Sequence, residues 1–155
     1  KLSLQLGHQL VDINALKQRV TNQSRYNLFE LQDALLEGSC DKALYILRKL
    51  KQQALEPQLL FWAFNREVEL LQQLQFATEQ NQPLNSIFQK ARVWQSRQRL
   101  YNQALSRLPM VKLMQAGGLL ADIDRQLKLE FTLPWNLFNQ LTMLICLEPQ
   151  SEVPY

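Results

Sequence analysis

A chain of 155 residues, 46% hydrophobic and 20% charged, fits one domain with a packed core, alone or with a fragment of another, and excludes wholesale disorder. Its net charge of +3 is too mild to argue for any partner, so only local clustering of charge carries information. Four glycines and six prolines argue for long helices over a turn-rich β fold.

Taken in chain order, apolar periodicity predicts helix after helix, an all-α compact bundle. The chain opens at Lys1 without a methionine, inside the alternation Leu2, Leu4, Leu6, and reads as a piece of a longer protein. Asp12 is placed as the N-cap of a short helix with Ile13, Leu16 and Val20 on one side. The polar run Thr21-Asn22-Gln23-Ser24 reads as a linker and sets a domain boundary there. Leu28, Leu31 and Leu35 mark the next helix, closed by Gly38, and Ser39 caps a helix presenting Ala43, Ile46, Leu47 and Leu50.

Pro57 opens a longer helix with the stripe Leu60, Ala63, Phe64, Val68, Leu71 and Leu74, and with Arg66, Glu67, Glu69, Gln72 and Gln73 mostly off it. Asn81-Gln82-Pro83 breaks it. A short helix over 84–90 follows, then one after Trp94 carrying Leu100, Ala104, Leu105 and Leu108. Pro109 opens the next, with Leu113, Ala116, Leu120, Ile123 and Leu127; Pro134 opens the last, with Phe138, Leu141, Leu144 and Ile145 inward. The tail after Pro149 is expected to fray. The expected core includes Leu31, Leu35, Leu47, Phe64, Leu71, Leu105, Leu120, Leu127 and Leu141. Gly117-Gly118, inside an apolar stripe, is read as a close approach of another helix, with a local kink as the alternative.

Catalytic chemistry finds no constellation. One histidine, His8, and two distant cysteines, Cys40 and Cys146, do not make a zinc site, and the cysteines read as small buried hydrophobes in a reducing compartment. No Gly-rich phosphate loop is present, and no apolar run reaches the ~20 residues a membrane span needs. Asp122 and Asp124 diverge around a helix, leaving Asp124 to pair with Lys128 at i,i+4. No cofactor, no metal and no independent enzyme activity are expected.

The most informative stretch lies between Gln80 and Ala121, which holds no acidic residue but has Lys90, Arg92, Arg97, Arg99, Arg107 and Lys112. Arg92-Val93-Trp94 sets a large aromatic among guanidinium groups. A nucleic-acid end suits that combination, because a base offers a π-face beside phosphates that need neutralising. The other reading makes Trp94 a core anchor and the arginines a solvated face. Exposure of Trp94 decides between them.

The run Leu84-Asn85-Ser86-Ile87-Phe88-Gln89-Lys90-Ala91-Arg92-Val93-Trp94-Gln95-Ser96-Arg97, followed by Ala104-Leu105-Ser106-Arg107-Leu108, resembles the C-terminal region of the bacterial DNA polymerase III delta-subunit family. Phe29-Glu30-Leu31-Gln32-Asp33-Ala34-Leu35-Leu36-Glu37-Gly38 looks like its first collar helix, and the segment from Leu60 to Leu71 like its long third helix. The resemblance implies a clamp-loader subunit of the replicative polymerase holoenzyme, a complex that is a DNA-directed DNA polymerase although this subunit is not. It implies a remnant of the AAA+ lid domain and linker over 1–23, a helical collar domain over 24–149 and a tail over 150–155. The implied partners are the ATPase and delta-prime subunits through the collar, primer–template DNA, and the sliding clamp only through an N-terminal domain absent here; no membrane is implied, and the location is cytoplasmic. Trp94, Arg92, Arg97, Arg99 and Lys90 are the implied DNA-binding residues; the wide apolar faces of the helices over 57–80 and 134–147 make Phe61, Trp62 and Trp135 candidates for subunit interfaces, the other reading being that all three are plain core. A stand-alone helical adaptor with no DNA contact is the alternative, and it requires Trp94 to be buried.

Overall fold

The computed structural model describes residues 2–129 and 134–147, and among them it is all-α. Seven helices follow in order: α1 Leu2–Glu37, α2 Cys40–Gln52, α3 Pro57–Glu79, α4 Asn85–Lys90, α5 Gln95–Arg107, α6 Met110–Leu129 and α7 Trp135–Cys146. The tail and the side chains of His8, Asp12, Ile13 and Val20 lie outside the described residues.

The first difference from the sequence reading is α1, one helix of 36 residues. Asp12 is interior to it and not an N-cap, and Thr21–Ser24 is helix and not a break. Thr, Asn and Ser lower helix propensity only by tenths of a kcal/mol each, and no Gly or Pro interrupts the run. Tertiary bonds then favour the helix: the Ser24 hydroxyl donates to Gln53 Oε1 at 3.0 Å and Asn27 Nδ2 donates to the same oxygen at 3.2 Å. Leu16 is exposed, and Ser24 is the first described side chain to be buried.

Beyond Ser24 the bundle is built around α3, whose buried residues face α1, α5 and α6. Phe64 is fully enclosed and meets Phe138 of α7 with ring centroids 5.5 Å apart. Leu31, Leu35, Leu47, Leu71, Leu120 and Leu141 are core, as their periodicity predicts. Leu105 and Leu127 are only half-buried at its edge. The inward face of α5 runs through Tyr101, Ala104 and Leu108, which turns Leu105 about 100° away. Leu127 continues the α6 stripe into the last turn, where less of a neighbour covers it.

Helix ends follow local chemistry. Gly38 sits at φ +79°, with Ser39 N–H donating to Ala34 O and Gly38 N–H to Leu35 O, the paired bonds of a Schellman cap. Ser39 holds the N-cap position of α2, but its side chain makes no capping bond. At Gly117 an added Cβ would lie 3.1 Å from Gln72 Nε2, which donates to Leu113 O at 2.9 Å, so α3 does approach closely there. Gly118 faces open space and carries no such constraint. Lys128 reaches Asp124 at 3.0 Å, as its spacing predicts. Both cysteines are free thiols: Cys40 is half-buried, and burial pushes the Cys146 thiol up to about 12.

Candidate nucleic-acid interface

The break between α4 and α5 creates the site. The sequence Ala91-Arg92-Val93 closes α4 with Arg92 in the left-handed region at φ +57°, while Val93 N–H donates to Phe88 O and Arg92 N–H to Gln89 O. A non-glycine residue held there stores about 1–2 kcal/mol of backbone strain. The chain then extends at Trp94, the N-cap of α5, with φ −64° and ψ 147°. Trp94 is 78% exposed, and Arg92 beside it is exposed too. Leaving so large an apolar surface in water forgoes its burial energy.

Trp94 lines a cleft of about 670 Å³ shared with Phe29 of α1, Arg66 of α3, Arg92 and Val93. Gln32, Asp33 and Arg97 complete the wall. Arg66 crosses beneath the elbow and donates from Nη2 to Ala91 O at 3.0 Å, tying the α4 cap to α3.

Arg97 departs from its expected role as an open phosphate ligand. The acid-free stretch leaves it unpaired in sequence, but the fold brings carboxylates from two other helices. Its Nε donates to Asp33 Oδ1 at 3.0 Å, and Nη2 lies 2.9 Å from the same oxygen, off the hydrogen-bond axis. Glu67 Oε2 is 3.9 Å away, and Nη1 donates to the Tyr101 hydroxyl at 3.3 Å. Glu67 is 2% exposed, against the expectation that it lies off the buried stripe. It is held by Tyr101, whose hydroxyl donates to Oε2 at 2.5 Å, and by Gln32 Nε2, which donates to Oε1 at 3.4 Å. Burial pushes the Glu67 carboxyl above its ordinary value; the Tyr101 bond and the charges of Arg97 and Arg66 pull the other way. Burial, then the Glu67 charge, raises the Tyr101 phenol.

The remaining expected residues scatter. Arg99 and Lys90 are exposed, and Lys90 lines a second groove of about 660 Å³ beside Trp62, Arg66 and Glu69. Trp62 is 58% exposed on α3, on one outward stripe with Leu59 and Phe76. Phe61 is half-buried against the core, and so is Trp135, which packs on Phe138 with Lys51 Nζ 5.6 Å from its ring centre. Phe29, Arg66, Asp33 and Glu67 were not anticipated. Only Phe29 left a signal, since it falls beside the inward stripe Leu28, Leu31 and Leu35.

Among the described residues, then, the chain is an all-α bundle with an exposed aromatic at a basic elbow. Residues 28–152 match the family model of the C-terminal part of the processivity clamp-loader gamma complex of DNA polymerase III. The chain belongs to this family. It is similar to DNA polymerase III subunit delta of Escherichia coli (strain K12), 32% identical over 154 residues, covering 99% of this chain and 45% of that protein. DNA polymerase III subunit delta of Haemophilus influenzae (strain ATCC 51907 / DSM 11121 / KW20 / Rd) is 29% identical over 164 residues, covering 94% of this chain and 48% of that protein. The chain thus represents a delta C-terminal region and spans just under half the length of these relatives.

Proposed function

We propose that this region is the collar of a clamp-loader delta subunit, joining the other loader subunits and contacting primer–template DNA while a sliding clamp is loaded. The observation that carries the DNA contact is Trp94, a residue 78% exposed at a helix start beside an exposed Arg92. A stand-alone adaptor would bury that ring. Stacking on a base contributes about 1–3 kcal/mol largely regardless of sequence, which suits a loader acting at any primed site. Arg92, Arg99 and Lys90 supply exposed charge for phosphates, while Arg97 is the positioning residue that ties the first turn of α5 to α1 and α3.

Ring assembly uses the outward stripe of α3, where Trp62 stands exposed between Leu59 and the Lys90 groove. The N-terminal half of α1 is the end of the lid domain, continuous with the collar through the helix. The partners are the ATPase and delta-prime subunits, the setting is the cytoplasm, and nucleotide polymerisation belongs to the holoenzyme.

In a reconstituted loader built with the full-length chain, Trp94→Ala should weaken primed-DNA binding by roughly tenfold or more and leave subunit assembly intact. Lost assembly, or unchanged DNA binding, overturns the reading and makes Trp94 a structural anchor.

A further inference from the structure

We infer that Cys40 and Cys146 form a thiol–disulfide pair, with Cys40 the entry point for a small-molecule disulfide such as oxidised glutathione and Cys146 the thiol that displaces it. The site is separate from the elbow and does not depend on the DNA reading. In sequence the two residues stand far apart, and the fold brings them to one corner. Cys40 is the first residue of α2 and Cys146 the last of α7, and these helices pack against each other. Arg107 fixes the corner: its Nη2 donates to Leu35 O and Leu36 O, just before the turn into α2, and to Ile145 O, next to Cys146. The Cys40 side chain comes within hydrogen-bonding reach of Cys146. Each cysteine sits at a helix end, where a small backbone shift disturbs few bonds, and a disulfide needs Cα atoms about 4.4–6.8 Å apart.

Exposure divides the roles. Cys40 is half-buried, so solvent reaches it, whereas Cys146 is 2% exposed. Burial pushes the Cys146 thiol up to about 12; the Cys40 charge and hydrogen bond add to this, and the Arg107 cation opposes it. Cys146 therefore stays a neutral thiol until its neighbour has reacted. In the first step the Cys40 thiolate attacks one sulfur of the glutathione disulfide, forming a mixed disulfide and expelling one glutathione thiolate. Capping Cys40 removes the charge that held the Cys146 proton. Cys146 then releases that proton to solvent and attacks the Cys40 sulfur, which forms the internal disulfide and expels the second glutathione thiolate. The protein sulfurs lose two electrons, the glutathione sulfurs gain them, and the two cysteine protons end on the two glutathiones. Held beside the mixed disulfide, Cys146 outcompetes free glutathione for the Cys40 sulfur.

The test incubates the folded full-length chain with oxidised glutathione, traps the remaining thiols with an alkylating agent and maps the peptides by mass spectrometry. Most chains should carry Cys40 joined to Cys146, with little glutathione left on either. The urea midpoint should rise, because the bond closes a long loop of the unfolded chain, and should fall back on reduction with dithiothreitol. Cys146→Ala should stop at a glutathione adduct on Cys40, and Cys40→Ala should leave Cys146 unmodified in the folded chain. If the wild-type chain stops at the Cys40 adduct, the two thiols cannot meet and the inference falls. It falls equally if neither cysteine reacts, or if Cys146 in Cys40→Ala reacts as fast as Cys40 does in Cys146→Ala. Should either variant fail to fold, the wild-type peptide map alone decides between joined and separate thiols.

Discussion

At its C-terminal end α5 carries Arg107, whose guanidinium lies against backbone carbonyls: Nη2 donates to Leu35 O at 3.0 Å, Leu36 O at 3.4 Å and Ile145 O at 3.3 Å. At its N-terminal end the same helix carries Arg97, which faces the carboxylates of Asp33 and Glu67 under an exposed tryptophan. Arg107 thus closes the negative ends of α1 and α7 through these carbonyl bonds. Gly38 makes that possible twice over, by its φ of +79° and because a Cβ there would lie 2.9 Å from Arg107 Cζ. One end is a fixed bolt between three helices. The other is an ionic junction whose strength depends on protonation, set where the helix meets solvent.

The largest effect expected from breaking that contrast is at the ionic end. Arg97→Ala removes the cation nearest the buried Glu67 and should destabilise the domain by about 3 kcal/mol, measured by urea unfolding at neutral pH. DNA binding should fall with it, because the first turn of α5 loses its tie to α1. At the other end, Gly38→Ala must strain the backbone and displace Arg107, for a loss of about 2 kcal/mol. The readout that separates the ends is DNA affinity at a temperature where both variants remain folded. It should survive Gly38→Ala and not Arg97→Ala.

These contrasts mark where the sequence stopped being readable. Helices were visible because periodicity is local: Leu31 and Leu35 point inward whatever lies opposite. The elbow at Arg92-Val93 was visible because two helical stripes fall out of phase there. The Arg97–Asp33 pair joins residues 64 positions apart, and periodicity carries no information about which carboxylate crosses to which cation. Glu67 was misread for the same reason, since a buried carboxylate on a helix becomes tolerable only once Tyr101 and Gln32 are known to face it. The run Thr21–Ser24 was misread because polar composition was weighed above the absence of any helix breaker.

A smaller effect tests the ionic end by pH. Burial raises the Glu67 carboxyl, so the folded state holds its proton at pH values where the unfolded chain, near ~4.3, has released it. More protons are then bound folded than unfolded, and this group's contribution to stability falls as pH rises through that window. Glu67→Gln deletes the contribution. The difference in urea midpoint between the variant and wild type should therefore grow in the variant's favour from pH 4.5 towards 7. A constant difference would mean that Arg97 and Tyr101 fully offset the burial.

The smallest expected change in stability falls on Arg92, where function and backbone pull in opposite directions. Its φ of +57° disfavours any side chain, and glycine would adopt it freely. Glycine also loses more chain entropy on folding, so Arg92→Gly should change stability by only about 0–1 kcal/mol, in the favourable direction. An exposed guanidinium makes no described bond that its removal would break. If Arg92 contacts a phosphate, the same substitution should weaken primed-DNA binding across all sequences and lower the salt-dependence slope by about 0.9. Stability held or raised while the salt slope falls would mean that the strained position is kept for its charge. If stability drops, the arginine is part of the cap itself, and the open end of α5 is more like the bolted one than its exposure suggests.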